Sequence, residues 1–113
     1  MDDRIEALND LLELKQSIED LMLKLSKFDW DSEELIVLKK SHVRNIIDRY
    51  LMGDIDEVVV EGWANAIECR DDIGLFETHR FILKELVYEL ANPSLTHKLT
   101  SDRAKVLSNK MEF

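Results

Sequence analysis

The chain is poor in the residues that cross-link or interrupt a polypeptide. Its 113 residues include one cysteine, one proline and three glycines. A single cysteine excludes an internal disulfide, and so few turn residues argue against an architecture of many short strands. No apolar run approaches the roughly 18 residues that cross a membrane, and the charged N-terminus lacks an apolar signal core. We therefore expect a cytoplasmic protein, built from a few long helices, that does not contact a membrane.

Basic residues are also scarce relative to acidic ones. The chain has 24 acidic and 15 basic residues, which gives a formal net charge of −9. The acids are concentrated in residues 1–34 and 53–77, whereas residues 35–52 and 78–113 are mildly basic. An acidic surface repels phosphates, so direct binding of nucleic acid is not expected. The length and the apolar content of 45% predict a single domain over residues 1–113.

Apolar side chains recur at helical spacing along most of the chain. Helices are predicted over residues 3–27, 32–51, 56–70 and 75–91, followed by a short helix that begins at Thr100 or Ser101. The first helix carries a broad apolar stripe formed by Leu11, Leu14, Ile18, Leu21, Leu25 and Phe28. Its breadth favours packing in a core, and a seam that joins two copies into a homodimer is the alternative. The predicted fold class is therefore all-α, a compact single-domain bundle of about five helices.

Residues with a strong tendency to cap helices mark two of the predicted boundaries. Asp31 and Glu34 have the spacing of a capping box at the start of the second helix, and Ser32 is a competing cap. Asp54 or Asp56 is expected to cap the third helix, because carboxylates accept hydrogen bonds from the first backbone N–H groups of a helix.

Cys69 is the obvious candidate nucleophile, but its surroundings do not suit covalent catalysis. Three carboxylates lie within three residues of it, and negative charge disfavours a thiolate. None of the three histidines stands in a recognisable catalytic signature. The glycine-rich and serine motifs of nucleotide-binding proteins and hydrolases are also missing. We therefore predict no catalytic residue and expect that the protein is not an enzyme.

The acidic run from Asp54 to Glu57 is the best candidate for a metal site. It offers oxygen ligands but lacks the length and the central glycine of a calcium loop. Acidic residues at the start of a helix also serve as caps, and no histidine follows a glutamate at the spacing found in di-iron bundles. No metal and no cofactor is therefore predicted, and an enzyme with an acidic metal site stays as a remote alternative.

The strongest functional pattern is an acidic face on the third predicted helix. Successive spacings of four, four, three and four residues place these side chains on one side of it: Glu57, Glu61, Asn65, Glu68 and Asp72. The opposite side is apolar and comprises Val60, Trp63, Ala64 and Ile67. Like charges at this spacing repel, and no lysine on the helix relieves them. The five polar residues are therefore predicted to bind a partner.

Two other interpretations of the acidic face stay open at this point. One is an ordinary solvated surface, and the other is pairing with the basic residues 35–52. Trp30 lies in a segment that looks exposed and could anchor a partner, although a tryptophan in such a break also commonly covers the core.

Two segments of the chain resemble a known group of proteins. Within residues 50–107, the pattern WAN-x-x-E-x-R-x-D-I and the later ELANP are similar to those of small bacterial immunity proteins. Such proteins are encoded beside the toxins of polymorphic or contact-dependent growth inhibition systems. The first pattern runs from Trp63 to Ile73 and the second from Glu89 to Pro93, and Cys69 stands where a small residue such as glycine is expected.

The resemblance implies a protein that binds one cognate toxin domain and neutralises it. Many such toxins are basic nucleases, and an inhibitor's carboxylates can take the place of the phosphates of the substrate. The resemblance supplies no interface residues, and the alternative role of its motif residues is to form the fold, with Trp63 in the core and Arg70 paired with a carboxylate. A helical regulatory or adaptor protein, with residues 11–28 as a candidate homodimer seam, is the alternative function.

Overall fold

The computed structural model describes residues 3–28 and 33–111. In these two ranges the chain forms six α-helices and one parallel pair of short strands. The helices are α1 (Asp3–Glu13), α2 (Ile18–Leu25), α3 (Lys40–Leu51), α4 (Glu57–Glu68), α5 (Arg80–Ala91) and α6 (Ser101–Lys110). The strands are β1 (Ile36–Leu38) and β2 (Ile73–Leu75). The predicted all-α bundle is confirmed, with one helix more than expected and a small sheet in addition.

The first predicted helix is broken into two. α1 ends at Glu13, and Leu14 adopts a φ of +49°, which no α-helix accommodates. Ser17 then caps α2, since its hydroxyl accepts a hydrogen bond from the Asp20 N–H at 3.2 Å. The prediction of one continuous helix over residues 3–27 is wrong, because apolar periodicity shows which side chains are buried and not whether the backbone continues. The turn allows α2 to fold back against α1.

The apolar stripe of this region belongs to the core. Leu11, Leu14, Leu21 and Leu25 are all buried within the chain itself. A seam between two copies would need these side chains at the surface. The structure therefore favours core packing over the self-association seam that the sequence left as an alternative.

Side chains from α3 and α4 bind carbonyl groups at the end of α1 and in the turn after it, where a helix leaves its last carbonyls without intrahelical partners. The indole Nε1–H of Trp63 donates to the Leu11 carbonyl at 2.8 Å in the buried interior. The Nη1 of Arg49 donates to the carbonyls of Leu14 at 2.9 Å and Glu13 at 3.3 Å. The break after α1 is thus held by two elements that lie far along the chain.

The second predicted helix starts later than expected. The chain is extended at Ile36–Leu38, and α3 begins at Lys40, where the Lys39 N–H donates to Nδ1 of His42 at 2.9 Å. The predicted start at residue 32 is therefore wrong, and Glu34 is not helical. The proposed caps Asp31 and Ser32 lie outside the described residues, as does Trp30.

The two strands form a parallel pair in which Ile36, Val37 and Leu38 lie opposite Ile73, Gly74 and Leu75. The N–H groups of Leu35 and Ile36 donate to the Asp72 carbonyl at 2.8 and 3.3 Å, and the Phe76 N–H donates to the Leu38 carbonyl at 2.9 Å. β2 occupies the place where the sequence predicted a loop and the start of the fourth helix. That helix, α5, begins at Arg80 instead of residue 75.

The other predicted boundaries are close to the observed ones. Asp56 caps α4 by accepting from the Val59 N–H at 3.0 Å, and Thr100 caps α6 by accepting from the Arg103 N–H at 3.1 Å. The apolar face of α4 is buried as predicted and packs chiefly on α5. Among the described residues, no helix combines the length and the apolar content needed to span a bilayer.

We predict that Trp63→Phe destabilises the fold. The change removes the Nε1–H, which is one of two donors to the Leu11 carbonyl, and this loss costs about 0.5–1.5 kcal/mol; the smaller ring adds a packing defect. Urea unfolding followed by circular dichroism measures the loss. Tyr50→Phe is the control, because the Tyr50 hydroxyl reaches the Leu99 carbonyl only at 3.4 Å. Equal losses in the two variants would show that the indole hydrogen bond is not important.

Candidate partner-binding surface

The solvent-facing side of α4 carries unpaired carboxylates. Glu57, Glu61 and Glu68 are exposed and Asn65 is half-buried, while the opposite side of the helix is buried against the core. Within the described part of the chain, no base lies within 4.0 Å of the three glutamate carboxylates. The helix itself contains no lysine or arginine. Four of the five predicted residues therefore share one face, which we call the acidic face.

The basic segment 35–52 does not neutralise the acidic face. Arg49, which lies at the end of α3, pairs with Asp54 at 2.7 Å and also binds the carbonyls that end α1. No ion pair joins α3 to the glutamates of α4 among the described residues. Of the interpretations that the sequence left open, pairing with the neighbouring basic helix is therefore not supported.

The fifth predicted residue, Asp72, does not belong to the acidic face. α4 ends at Glu68, four residues earlier, and the Asp72 side chain is turned inward with an exposed fraction of 0%. Arg70 binds it through two hydrogen bonds of 2.9 Å, from Nε to Oδ1 and from Nη2 to Oδ2. Arg4 adds bonds from Nη2 and Nε to Oδ2 at 3.0 and 3.2 Å. The prediction that Asp72 contacts a partner is therefore corrected, because its carboxylate is fully occupied inside the molecule.

This buried cluster of Arg4, Asp72 and Arg70 requires an ionised aspartate. Burial raises the pKa of the Asp72 carboxyl and is the largest single influence on it, but the hydrogen bonds and charges of Arg70 and Arg4 together outweigh it. The pKa of Asp72 consequently lies below its ordinary value. Since Arg4 belongs to α1, the cluster ties the first helix to the segment that leads into β2.

A second ion pair holds the C-terminal helices together. Arg103 of α6 binds Glu89 of α5 through two hydrogen bonds of 2.8 and 2.7 Å. Burial raises the pKa of Glu89, but the hydrogen bond and charge of Arg103 outweigh that effect and the pKa is lowered. The Thr96 hydroxyl donates to the carbonyls of Glu89 and Asn92, and the Asn92 amide donates to the Tyr88 carbonyl. Side chains of the segment after α5 therefore bind the carbonyl groups at the end of that helix.

The candidate nucleophile and the candidate metal ligands of the sequence analysis lie at helix ends and take part in the hydrogen bonds and ion pairs of the fold. Cys69 is exposed at the C-terminus of α4, where its N–H donates to the Asn65 carbonyl at 3.2 Å. Asp54 pairs with Arg49 and Asp56 caps α4, so two acids of the candidate metal site already have protein partners. In residues 3–28 and 33–111, no group of three or more histidine, cysteine, aspartate or glutamate side chains could hold a metal ion.

A groove that the sequence did not predict lies beside the acidic face. It has a volume of about 660 Å³ and is bounded by the C-terminal end of α4, by all three residues of β2 and by α5. Phe81 and Tyr88 stand on its α5 side with exposed fractions of 78% and 47%. Glu68 lines the groove as well as the acidic face, so the two surfaces are continuous. We refer to this depression as the α4–β2–α5 groove.

Two sequence signals could have indicated this groove. Phe81 and Tyr88 are seven residues apart and off the buried stripe of α5, so they are aromatic residues on a polar side of the helix. Gly74 is the second signal, since a side chain there would collide with the Glu34 carboxylate that lies over β2. Glycine therefore allows Glu34 to approach the strand at the edge of the groove.

We predict that Asp72→Asn costs about 3–5 kcal/mol of stability at neutral pH, because it removes the carboxylate that two largely buried arginines share. The lowered pKa of Asp72 means that the carboxylate's contribution is complete above its ordinary pKa and is lost as the pH falls through the folded-state value. The difference in free energy of unfolding between wild type and variant should therefore decrease below about pH 4. Urea unfolding across that range measures it, with the exposed Asp71→Asn as control. A stability difference that does not change with pH would contradict an ionised Asp72.

Most residues of the two motif segments serve the fold. Trp63 and Ala64 are buried in the core, Arg70 and Asp72 form the buried ion pair, and Glu89 binds Arg103. The motif is therefore tied largely to the architecture, although Asn65 and Glu68 also belong to the acidic face and Glu68, Arg70 and Ile73 line the groove. No protein-family model, no curated protein and no solved structure matches this chain.

Proposed function

We propose that this chain is a cytoplasmic bacterial immunity protein that binds a basic toxin domain, of the nuclease type, and neutralises it by direct contact. The observation that carries the proposal is the acidic face. Glu57, Glu61 and Glu68 project from one helix into solvent, and no base among the described residues compensates them. The proposed activity is binding alone, with no catalytic step, cofactor or metal.

The unpaired carboxylates have a physical cost that a basic partner would remove. Glutamates four residues apart on a helix repel each other by about 0.2–0.5 kcal/mol per pair. Complementary charge on a partner turns this repulsion into attraction and accelerates encounter by a factor of about ten or more at low salt. A nuclease must present cations to the phosphates of its substrate, so carboxylates that cover those cations would exclude the substrate.

The resemblance to immunity proteins adds a second, independent line of support. It rests on the segments from Trp63 to Ile73 and from Glu89 to Pro93, which lie in the C-terminal half of α4 and on into β2, and at the end of α5. The buried residues of these segments specify the architecture, and Asn65 and Glu68 belong to the acidic face. The acidic face supplies the chemistry of recognition, and the resemblance supplies the biological setting.

The test begins with the gene immediately upstream, which under this proposal encodes the toxin. Expression of its C-terminal domain alone should arrest growth, and co-expression of this chain should restore it. The two proteins should co-purify, with an affinity that falls as salt is raised. A helical adaptor with an unrelated partner would not restore growth, and failure to restore it overturns the proposal.

We predict that neutralising the acidic face weakens this complex. The triple variant Glu57→Gln, Glu61→Gln, Glu68→Gln should lower the association rate by about tenfold at low salt, because it removes the charges that steer encounter. Surface plasmon resonance at several salt concentrations measures the rate.

A matched control changes the net charge by the same amount at three exposed acids on other elements, namely Asp48→Asn, Glu77→Gln and Asp102→Asn. If both triple variants slow association equally, net charge alone drives the binding and the acidic face is not the recognition surface.

A further inference from the structure

The side of β2 that faces away from β1 has no partner strand among the described residues, and we call it the open edge. In a parallel pair, the backbone groups of successive residues are directed alternately toward the partner strand and away from it. The hydrogen bonds at Asp72 and Phe76 fix that alternation, so the N–H and C=O groups of Ile73 and Leu75 are directed away from β1. Within the described part of the chain, no helix, loop or side chain forms a hydrogen bond with these four groups.

The open edge lies beside the α4–β2–α5 groove. α5 packs next to β2 and bounds the groove together with it. Ile73, Gly74 and Leu75 all line the groove, together with the exposed ring of Phe81 on its far side. A volume of about 660 Å³ is comparable to that of typical ligand sites, and it is sufficient for a short extended peptide segment.

We propose that the groove binds an extended, apolar segment of the toxin, which adds a third strand at the open edge of β2. The backbone of that segment would pair with the N–H and C=O groups of Ile73 and Leu75, as in other cases of strand addition. Its side chains would contact Phe81 and Tyr88, which are exposed aromatic residues of the kind that anchor interfaces. This inference rests on the proposed function, because it names the part of the toxin that the surface receives.

Two features favour the toxin over a second copy of this chain as the occupant: the charge of the acidic face, and the direct connection between that face and the groove. Glu68 belongs to both the groove and the acidic face, so a partner seated in the groove also covers the carboxylates. A basic toxin would supply their countercharges. A symmetric dimer through the same edge would instead bring two identical acidic faces together, on chains that each carry a net charge of −9. Basic residues of the toxin are therefore expected to flank the apolar segment and lie over the acidic face, because the groove itself is lined by equal numbers of acidic and basic residues.

The test uses variants of the full chain with matched controls, and the probe is the C-terminal domain of the upstream gene product. Leu75→Pro removes an outward N–H at the β2 edge, and Val37→Pro removes the equivalent outward N–H at the edge of β1. Phe81→Ser removes a groove side chain, and Met52→Ser changes an equally exposed residue at the end of α3. Circular dichroism and urea unfolding establish that each variant is folded before its affinity is measured.

The expected result is a loss of affinity of at least about tenfold for Leu75→Pro and Phe81→Ser, with changes of about twofold or less for Val37→Pro and Met52→Ser. Amide exchange followed by NMR gives a second measurement that needs no variant. The N–H groups of Ile73 and Leu75 should exchange at least about tenfold more slowly in the complex, while that of Val37 should not change.

The outcomes separate the inference from the proposed function. If the wild-type chain binds the toxin domain and the groove variants bind like their controls, strand addition is wrong and the immunity role stands. If the wild-type chain does not bind the domain or rescue growth, the immunity role itself fails. If the free protein is a dimer in sedimentation and Leu75→Pro makes it a monomer, a second copy occupies the edge and the inference is overturned.

Discussion

The buried carboxylate of Asp72 is the interaction on which the architecture depends. Its side chain binds Arg4 of α1 and Arg70 at the end of α4, and its carbonyl accepts the N–H groups that begin β1. One residue therefore joins α1, the segment after α4 and the start of β1. A buried charge of this kind is costly unless every oxygen is paired, and here both oxygens are. The position of β2, and with it the groove, follows from this cluster.

Acidic residues serve two different purposes along one stretch of chain. Those directed inward, such as Asp72, are bound by arginines and stabilise the fold. Those directed outward from α4, such as Glu57 and Glu61, have no protein countercharge among the described residues and tend to destabilise their own helix slightly. The difference arises at Glu68, where the helix ends and the chain turns back toward the core. Spacing in sequence does not distinguish these two classes once the helix has stopped.

This explains which parts of the structure could be predicted. Buried faces and caps such as Asp56 and Thr100 depend on neighbouring residues and could be identified from the sequence. The break at Leu14 could not, because leucine is not a turn residue and the hydrogen bonds from Trp63 and Arg49 that hold it come from distant positions. The strand Ile36–Leu38 was ambiguous, since a short apolar run fits a buried strand as well as a helix.

The same limitation applies to the surface. Four members of the acidic face, Glu57, Glu61, Asn65 and Glu68, lie on one regular helix, so their spacing was sufficient to place them together. The groove combines residues from three elements that are distant in sequence, and no local pattern describes such a surface. Asp72 was misplaced because its main partner besides Arg70 is Arg4, which is 68 residues away along the chain.

The two sides of α4 have different roles: the inward side packs in the core and the outward side faces solvent. Trp63 is bound to the core and cannot change without loss of stability, whereas Glu57, Glu61 and Glu68 contribute nothing to the packing of the interior. Substitutions on the outer side can therefore change the charge of this surface while the architecture is retained. Along α4, the residues that form the core and the residues that set the surface charge are different sets.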